Sequence, residues 1–312
     1  MRVSLCLLLA LACMPVTFAR AQSAGSAYAV DYDQFYRIDL GTRKATLIGK
    51  VGGSGQLQMA DLSGLTTTPG GEVYVASDTL KSLIRIDPGT GKGTVVGNFG
   101  INQNNSSDPL DFGMTAACDG SLWLNSAVTR QLWKVNPSTA KATLVGTMGH
   151  DITGMVAAHD SLYGVGGRGD EGWYSIDTAS GHASLLGSLG PAVTYITSAS
   201  PAVTSQGEVL AAFNYVPLPN NQPPPAWSDL ARIDPVTGAA TVLGTITGPP
   251  SLEDIGIRGF TLGPPACGAT APPTLDAVGA PTLGWWSRLL LALLVGGLGT
   301  VLLSRKSTAR DI

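Results

Sequence analysis

Short stretches in which apolar and polar residues alternate recur along this chain and predict β-strands. In residues 83–86 (LIRI) the alternation has the period of two that is typical of a strand with one buried face. The following residues, DPGTG at 87–91, predict a tight turn, because Asp accepts backbone N–H bonds, Pro fixes φ and Gly adopts positive φ. A second apolar stretch at 94–97 (TVVG) returns, so the pattern indicates a β-hairpin.

This hairpin phrase occurs in five versions along the chain. They begin at Arg37, Arg85, Lys134, Ser175 and Arg232. Each phrase start is followed, twelve residues later, by a glycine: Gly49, Gly97, Gly146, Gly187 and Gly244. Successive phrases start 41 to 57 residues apart, so a constant inner spacing is combined with a variable outer one. Such a pattern predicts fixed strands joined by loops of variable length.

Two further strands are predicted ahead of each hairpin, for example at 64–67 and 73–75. Four short antiparallel strands in about 48 residues make one blade of a β-propeller. Residues 28–30 have the pattern of a second strand without its first, and 259–262 that of a first strand without its followers. The predicted fold class is therefore all-β, a five-bladed β-propeller over residues 22–263 that is closed by pairing of its N- and C-terminal strands, which removes two exposed sheet edges.

Two other architectures are compatible with the repeat. One is a six-bladed ring with a degenerate blade, and the other is an open solenoid. The repeated phrase resembles the LYxIDxxTGxxTxVG repeats of many secreted bacterial propellers. That resemblance implies an architecture and does not imply an activity.

The N-terminus has the pattern of a secretory signal peptide. Residues 1–21 contain Arg2, a long apolar run and the A-x-A pattern Ala19-Arg20-Ala21. Removing this leader lowers Lys+Arg from 19 to 17 against 22 acidic residues, which leaves a net charge of about −5. An anionic, charge-poor body argues against a nucleic-acid partner.

The C-terminus has the pattern of a membrane segment. A Pro-rich linker at 264–279 leads to 280–312, which contains the uncharged run 289–303. Counted from Leu283 the run spans roughly 31 Å, which matches a hydrocarbon core of ~30 Å. The basic residues that follow predict a cytoplasmic C-terminus, so this is a transmembrane helix with the body outside the membrane.

The residues ahead of this run are APTLGWW at 280–286. Together with the apolar run and the basic end, they resemble the IPTL-CTERM sorting signal of Gram-negative bacteria. The matching positions are Pro281, Thr282, Leu283 and Trp286. The resemblance implies a partner, an exosortase-type membrane protease, that cleaves near the motif and passes the body from the inner membrane to the cell surface.

Two cysteines remain when the predicted leader is removed. Cys118 follows the first strand of its blade, and Cys267 lies just past the closing strand. Both therefore emerge at the face where first strands end, and an exported protein can keep a disulfide. We expect Cys118 and Cys267 to pair and tie the tail beneath the ring; two buried or free thiols are the alternative.

Aspartates precede the first strand in four of the five loops between blades. They are Asp61, Asp111, Asp151 and Asp254. A ring of carboxylates there could bind Ca²⁺, which takes six to eight oxygens. Three of them could instead serve a glycosidase- or lyase-type enzyme as acid, base and modulator. The third interpretation is structural: a residue repeated in every blade accepts N–H bonds from its own loop.

Residues that break the repeat are the other candidates, because function tends to lie in irregular loops on a rigid scaffold. The longest insertion, 213–229, includes Tyr215 and Trp227, whose rings would form an exposed stacking surface for sugars or apolar groups. No catalytic motif with the required spacing is found in the sequence. We therefore expect an exported, surface-sorted binding or structural module, with polysaccharide or a surface protein as its ligand; the alternative is an enzyme using the aspartates.

Overall fold

The computed structural model describes residues 25–52, 59–101, 109–158, 161–193, 195–215, 227–250, 252, 256–265 and 267. Within these residues the chain forms twenty β-strands in five four-stranded antiparallel sheets. The sheets follow one another along the chain, and each is one blade of a propeller. The prediction of an all-β, five-bladed propeller is therefore confirmed.

The strands of each blade are given from the channel outward. Blade 1 contains β20 (Gly259–Thr261), β1 (Ser26–Val30), β2 (Gln34–Asp39) and β3 (Lys44–Lys50). Blade 2 contains β4 (Leu62–Thr67), β5 (Val73–Ser77), β6 (Ser82–Ile86) and β7 (Gly93–Asn98). Blade 3 contains β8 (Phe112–Ala116), β9 (Leu122–Ser126), β10 (Gln131–Val135) and β11 (Ala142–Thr147).

The remaining two blades follow the same order. Blade 4 contains β12 (Ile152–Ala158), β13 (Ser161–Gly166), β14 (Gly172–Ile176) and β15 (Ala183–Ser188). Blade 5 contains β16 (Ser198–Val203), β17 (Val209–Tyr215), β18 (Trp227–Ile233) and β19 (Ala240–Thr245).

Blade 1 is assembled from both ends of the chain. The C-terminal strand β20 pairs antiparallel with β1, with Tyr28 opposite Thr261 and Val30 opposite Gly259. This pairing gives the first blade the same four strands as the others. In the described residues, pairing of β20 with β1 therefore leaves no gap in the ring of inner strands where the two ends of the chain meet.

The hairpin turns use the chemistry that the sequence predicts. In blade 5, Asp234 Oδ1 accepts the backbone N–H groups of Val236 at 2.8 Å and Thr237 at 3.0 Å. Backbone hydrogen bonds from Thr237 and then Val236 lower the pKa of Asp234. Four residues after this aspartate, Gly238 adopts φ +78°, which completes the turn.

The repeated glycine lies beneath the hairpin of the next blade. A Cβ added to Gly187 in blade 4 would be 1.9 Å from the carbonyl oxygen of Thr237 in blade 5. A Cβ added to Gly146 in blade 3 would likewise be 1.9 Å from the carbonyl oxygen of Ser180 in blade 4. The constant spacing of twelve residues therefore reflects a position where neighbouring blades touch, so closely at Gly49, Gly146 and Gly187 that a Cβ would clash with the backbone of the next blade.

Backbone hydrogen bonds join neighbouring blades at the same perimeter. At each junction the amide of the first or second residue of an outer strand donates to a carbonyl beyond the outer strand of the preceding blade. The five bonds are Gly93 to Val51, Ala142 to Phe99, Ala183 to Met148, Ala240 to Leu189 and Ala45 to Thr247, at 2.7–3.1 Å. The ring is thus closed at its outer edge, including the junction between blades 5 and 1.

A second belt of hydrogen bonds joins the inner strands. Hydroxyl groups of one blade contact the next at all five junctions: Thr66 with Ala116 N, Thr115 with Ala157 N, Thr153 with Ala199 N, Ser200 with Arg258 O, and Thr67 with Thr261. Each N–H donates to a threonine oxygen at 2.9–3.1 Å. The five hydrophobic clusters lie between these belts, one at each blade junction.

The tail is joined to blade 3 on the face where inner strands end. The sulfur atoms of Cys118 and Cys267 are bonded, with their Cα atoms 5.4 Å apart across 149 positions of sequence. Because Cys118 follows β8 and Cys267 follows β20, this link crosses from the closing strand to a different blade.

The predicted targeting segments lie outside the described residues. They comprise the signal peptide at 1–21 and the sorting motif with its transmembrane helix at 280–312. In the part of the chain that the structure describes, no helix has the length and apolar character needed to cross a membrane.

Candidate functional site

The central channel is narrow near the face that carries the disulfide. Its narrow lower part is lined by one large side chain from each of several inner strands, including Leu65, Met114 and Phe260, all of which are buried. The free volume there is about 20 Å³, room for about one water molecule. Among the described residues, the channel is therefore narrowest at this face.

At the opposite face, which we call the mouth, the channel widens into a cavity of about 250 Å³. The mouth lies where the loops between blades meet the loops that join second to third strands. Its lining is mostly polar and includes these residues from blades 1 to 5: Ser63, Asp111, Thr153, Arg168, Thr197, Asn214 and Arg258. Phe112 and Ala127 supply the apolar part of the wall.

A chain of four charged side chains crosses the mouth. Arg258 donates from Nη1 to Asp61 and from Nη2 to Asp111 Oδ1 at 3.2 Å. The other oxygen of Asp111 accepts from Arg168 Nη2 at 2.6 Å. Arg168 also donates from Nε to the carbonyl oxygen of Thr197 at 3.2 Å. These contacts connect all five blades, since Arg258 precedes the closing strand of blade 1.

Backbone conformation places these side chains. Asp61, Asp111 and Arg168 all have positive φ, at +56°, +47° and +59°. Asp adopts this conformation more readily than most residues, but it still carries strain. At Asp111 two backbone hydrogen bonds offset this strain, because the buried carboxylate of Asp78 accepts the N–H groups of Leu110 at 2.8 Å and Asp111 at 3.1 Å.

The predicted aspartate ring is only partly assembled. Asp61 and Asp111 lie together at the mouth, on either side of the Arg258 guanidinium. Asp151 does not line the cavity; its carboxylate pairs with Arg130 at 2.5 Å instead. This hydrogen bond raises the pKa of Arg130. Asp254 lies outside the described residues.

This arrangement bears on the enzyme and Ca²⁺ interpretations. Both oxygens of Asp111 accept arginine N–H groups, which suits structural pairing rather than proton donation to a leaving group. A guanidinium also occupies the space between the two carboxylates, where a cation would have to bind. Among the described residues, no group of three or more His, Cys, Asp or Glu side chains is arranged to hold a metal ion.

The expected pair of exposed aromatics is half right. Tyr215 and Trp227 stack with ring centroids 4.9 Å apart, but they are paired strand ends rather than residues of a free loop. Tyr215 is only 7% exposed, because it packs into the cluster between blades 4 and 5, and burial raises its pKa to about 12. Trp227 is 37% exposed and alone offers a surface. Residues 216–226 of the insertion lie outside the described residues.

Several mouth residues were not predicted from the sequence. Arg168 is part of a Gly-rich loop, and Arg258 lies next to the closing strand, 197 positions from its partner Asp61. Ser63, Phe112, Thr153 and Arg258 share one place in the repeat, immediately before the inner-strand glycine. The residue at this position differs from blade to blade, whereas the glycine after it recurs. This variation beside a constant glycine is the sequence signal that could have identified the four mouth residues.

Comparison with known proteins does not identify the chain. No protein-family model matches the sequence, and no curated protein matches it significantly. Among solved structures it is similar to a chain of the "Crystal structure of Nidogen/Laminin Complex", at 11% identity and a TM-score of 0.47, covering 76% of this chain and 97% of that one.

Proposed function

We propose that this protein is an exported propeller that is sorted to the cell surface and acts there as a binding module through the mouth. Its ligand is a surface polysaccharide or a surface protein. The proposed surface localisation is supported by the signal-peptide pattern at 1–21 and by the resemblance of 280–312 to a sorting signal that an exosortase-type protease processes.

The observation that carries the binding role is the contrast between the two ends of the channel. One end is narrow, with a free volume of about 20 Å³, whereas the other widens into a cavity of about 250 Å³ whose wall combines polar and apolar surface. Concave sites with a few convergent polar groups are where proteins usually bind small ligands. The mouth combines this shape with side chains that differ from blade to blade.

The two ends of the described propeller chain lie at the face opposite the mouth. Ser26 begins β1 and Cys267 follows β20, and both positions lie at the face opposite the mouth. The chain therefore leaves the propeller on the side away from the cavity. At the same face of the propeller as the mouth, Trp227 offers a ring on which a sugar or apolar group can stack.

A glycan array probed with the purified full-length protein tests this function. We expect binding to a defined set of glycans, and at least a fivefold loss with Trp227→Ala because a stacking surface is removed. Leu185→Ala, which truncates a 60% exposed side chain on the outer strand of blade 4, is the control and should bind as wild type. Equal binding by wild type, Trp227→Ala and Leu185→Ala, or no binding on glycan and surface-protein arrays, would contradict the proposal. Surface labelling of intact cells tests the proposed localisation separately.

A further inference from the structure

The mouth contains a buried hydroxyl group that the described residues leave unpaired. Ser63 lines the cavity and is only 4% exposed, and its Oγ has no hydrogen-bond partner in the part of the chain that the structure describes. Hydroxyls at other blade positions are paired: Thr153 Oγ1 accepts from Ala199 N, and Thr197 Oγ1 donates to the carbonyl oxygen of Asn214. A buried polar group without a partner costs stability, so its retention at a cavity wall calls for an explanation.

The arginines at the mouth have unused donors as well. A guanidinium has five N–H groups. Among the described residues, Arg258 uses two of its nitrogens on Asp61 and Asp111, and Arg168 uses two on Asp111 and the Thr197 carbonyl. These contacts hold the planes of both guanidiniums in place. Their remaining N–H groups are therefore fixed donors rather than mobile ones.

The four charged side chains of the described ion-pair chain balance one another. Two aspartates and two arginines alternate along one chain of ion pairs, so the described cluster carries no net charge. An anionic ligand would compete with Asp61 and Asp111 for the same guanidiniums and would be repelled by both. A cationic ligand would meet two arginines. The electrostatics therefore favour a neutral ligand that both donates and accepts hydrogen bonds.

The size of the cavity limits the ligand further. At about 250 Å³ it lies just below the range of roughly 300–1,000 Å³ that is typical of drug-sized ligands. It therefore suits one ring rather than several. The stacked pair Tyr215 and Trp227 lies one residue pair beyond Asn214 and Ser228 on β17 and β18, about 3.4 Å further along the strands.

We infer that the mouth binds a single neutral, hydroxyl-rich ring, one uncharged sugar residue of a larger glycan, with Ser63, Arg168 and Arg258 as its hydrogen-bonding groups. This inference rests on the proposed binding function and names its ligand class. Ser63 is the specificity-determining contact, because its hydroxyl both donates and accepts and is unpaired among the described residues.

The test uses ligand-observed NMR titration of the full-length protein with glucose, galactose and mannose, and with glucuronate and galacturonate, which add a carboxylate to the same rings. We expect at least one neutral hexose to bind, and its uronate to bind more weakly. Ser63→Ala should weaken hexose binding about two- to tenfold, the effect of one hydrogen bond, without lowering the melting temperature. Ser138→Ala, at an exposed hairpin on the opposite face, should leave binding unchanged.

The opposite outcomes overturn the inference. These are a uronate that binds as tightly as its neutral parent, hexose binding that is unchanged in Ser63→Ala, or no hexose binding at all. Ser63→Met, which fills the cavity, provides a second test and should abolish hexose binding. If glycan binding that depends on Trp227 is observed but the hexose results are not, the proposed function stands and only the assignment of the cavity is wrong. If neither the glycan binding nor the hexose binding is observed, the proposed binding role is wrong as well.

Discussion

At the perimeter of the ring every blade junction repeats the same contacts, whereas at the mouth each blade contributes a different side chain. The perimeter uses a glycine beneath the next hairpin and one backbone hydrogen bond per junction. The mouth uses Ser63, Phe112, Thr153 and Arg258 at one shared place in the repeat. The comparison teaches that the repeated residues hold the blades together, while departures from the repeat shape the cavity.

The largest expected effect concerns the support beneath the mouth. Asp78→Ala removes a buried carboxylate that pairs with Lys81 at 2.5 Å and accepts the N–H groups of Leu110 and Asp111. We expect the free energy of unfolding in urea to fall by about 3–5 kcal/mol, because buried charges and donors lose their partner. Asp119→Ala, which breaks an exposed ion pair with Lys134, should cost about 1 kcal/mol or less. Equal losses would show that the mouth loops do not depend on Asp78.

The next effect concerns the one covalent link, which has no counterpart at other junctions. Replacing Cys118 and Cys267 together by serine should lower the free energy of unfolding by about 2–4 kcal/mol, since the bond restricts the unfolded chain. A reducing agent should lower the melting temperature of the wild type and leave the double variant unchanged. Mass spectrometry of the unreduced protein provides an independent check, and two alkylatable thiols there would contradict the link.

The smallest effect tests the perimeter itself. Gly187→Ala would place a Cβ 1.9 Å from the Thr237 carbonyl oxygen, and we expect a loss of about 1–3 kcal/mol as the blades shift apart. Gly41→Ala, whose nearest atom is Asp39 Oδ1 at 3.5 Å, should stay within about 0.5 kcal/mol of wild type. Ligand binding at the mouth should survive in Gly187→Ala under conditions where it remains folded. If the Gly187→Ala protein is as stable as Gly41→Ala, the contact between blades does not require a glycine at this position.

Elements with a local signal were predictable, and the ring followed from their arrangement. Alternating residues such as 83–86 and the turn at 87–91 specify a hairpin through strand periodicity and turn chemistry, which depend on near neighbours. The two incomplete end strands then predicted closure, and β1 does pair with β20. The direction of individual side chains was not predictable in this way: Tyr215, expected at the surface, is buried between blades.

Hairpins, the number of blades and their closure into a ring can be read from residue order, because each follows from patterns within about fifty residues that recur five times. The composition of the mouth cannot be read in that way. Arg258 meets Asp61 across 197 positions and Asp111 across 147, while Asp151 turns to Arg130 instead. Long side chains reach across the channel only when folding brings distant loops together, so the site exists in the assembled ring and in no single repeat.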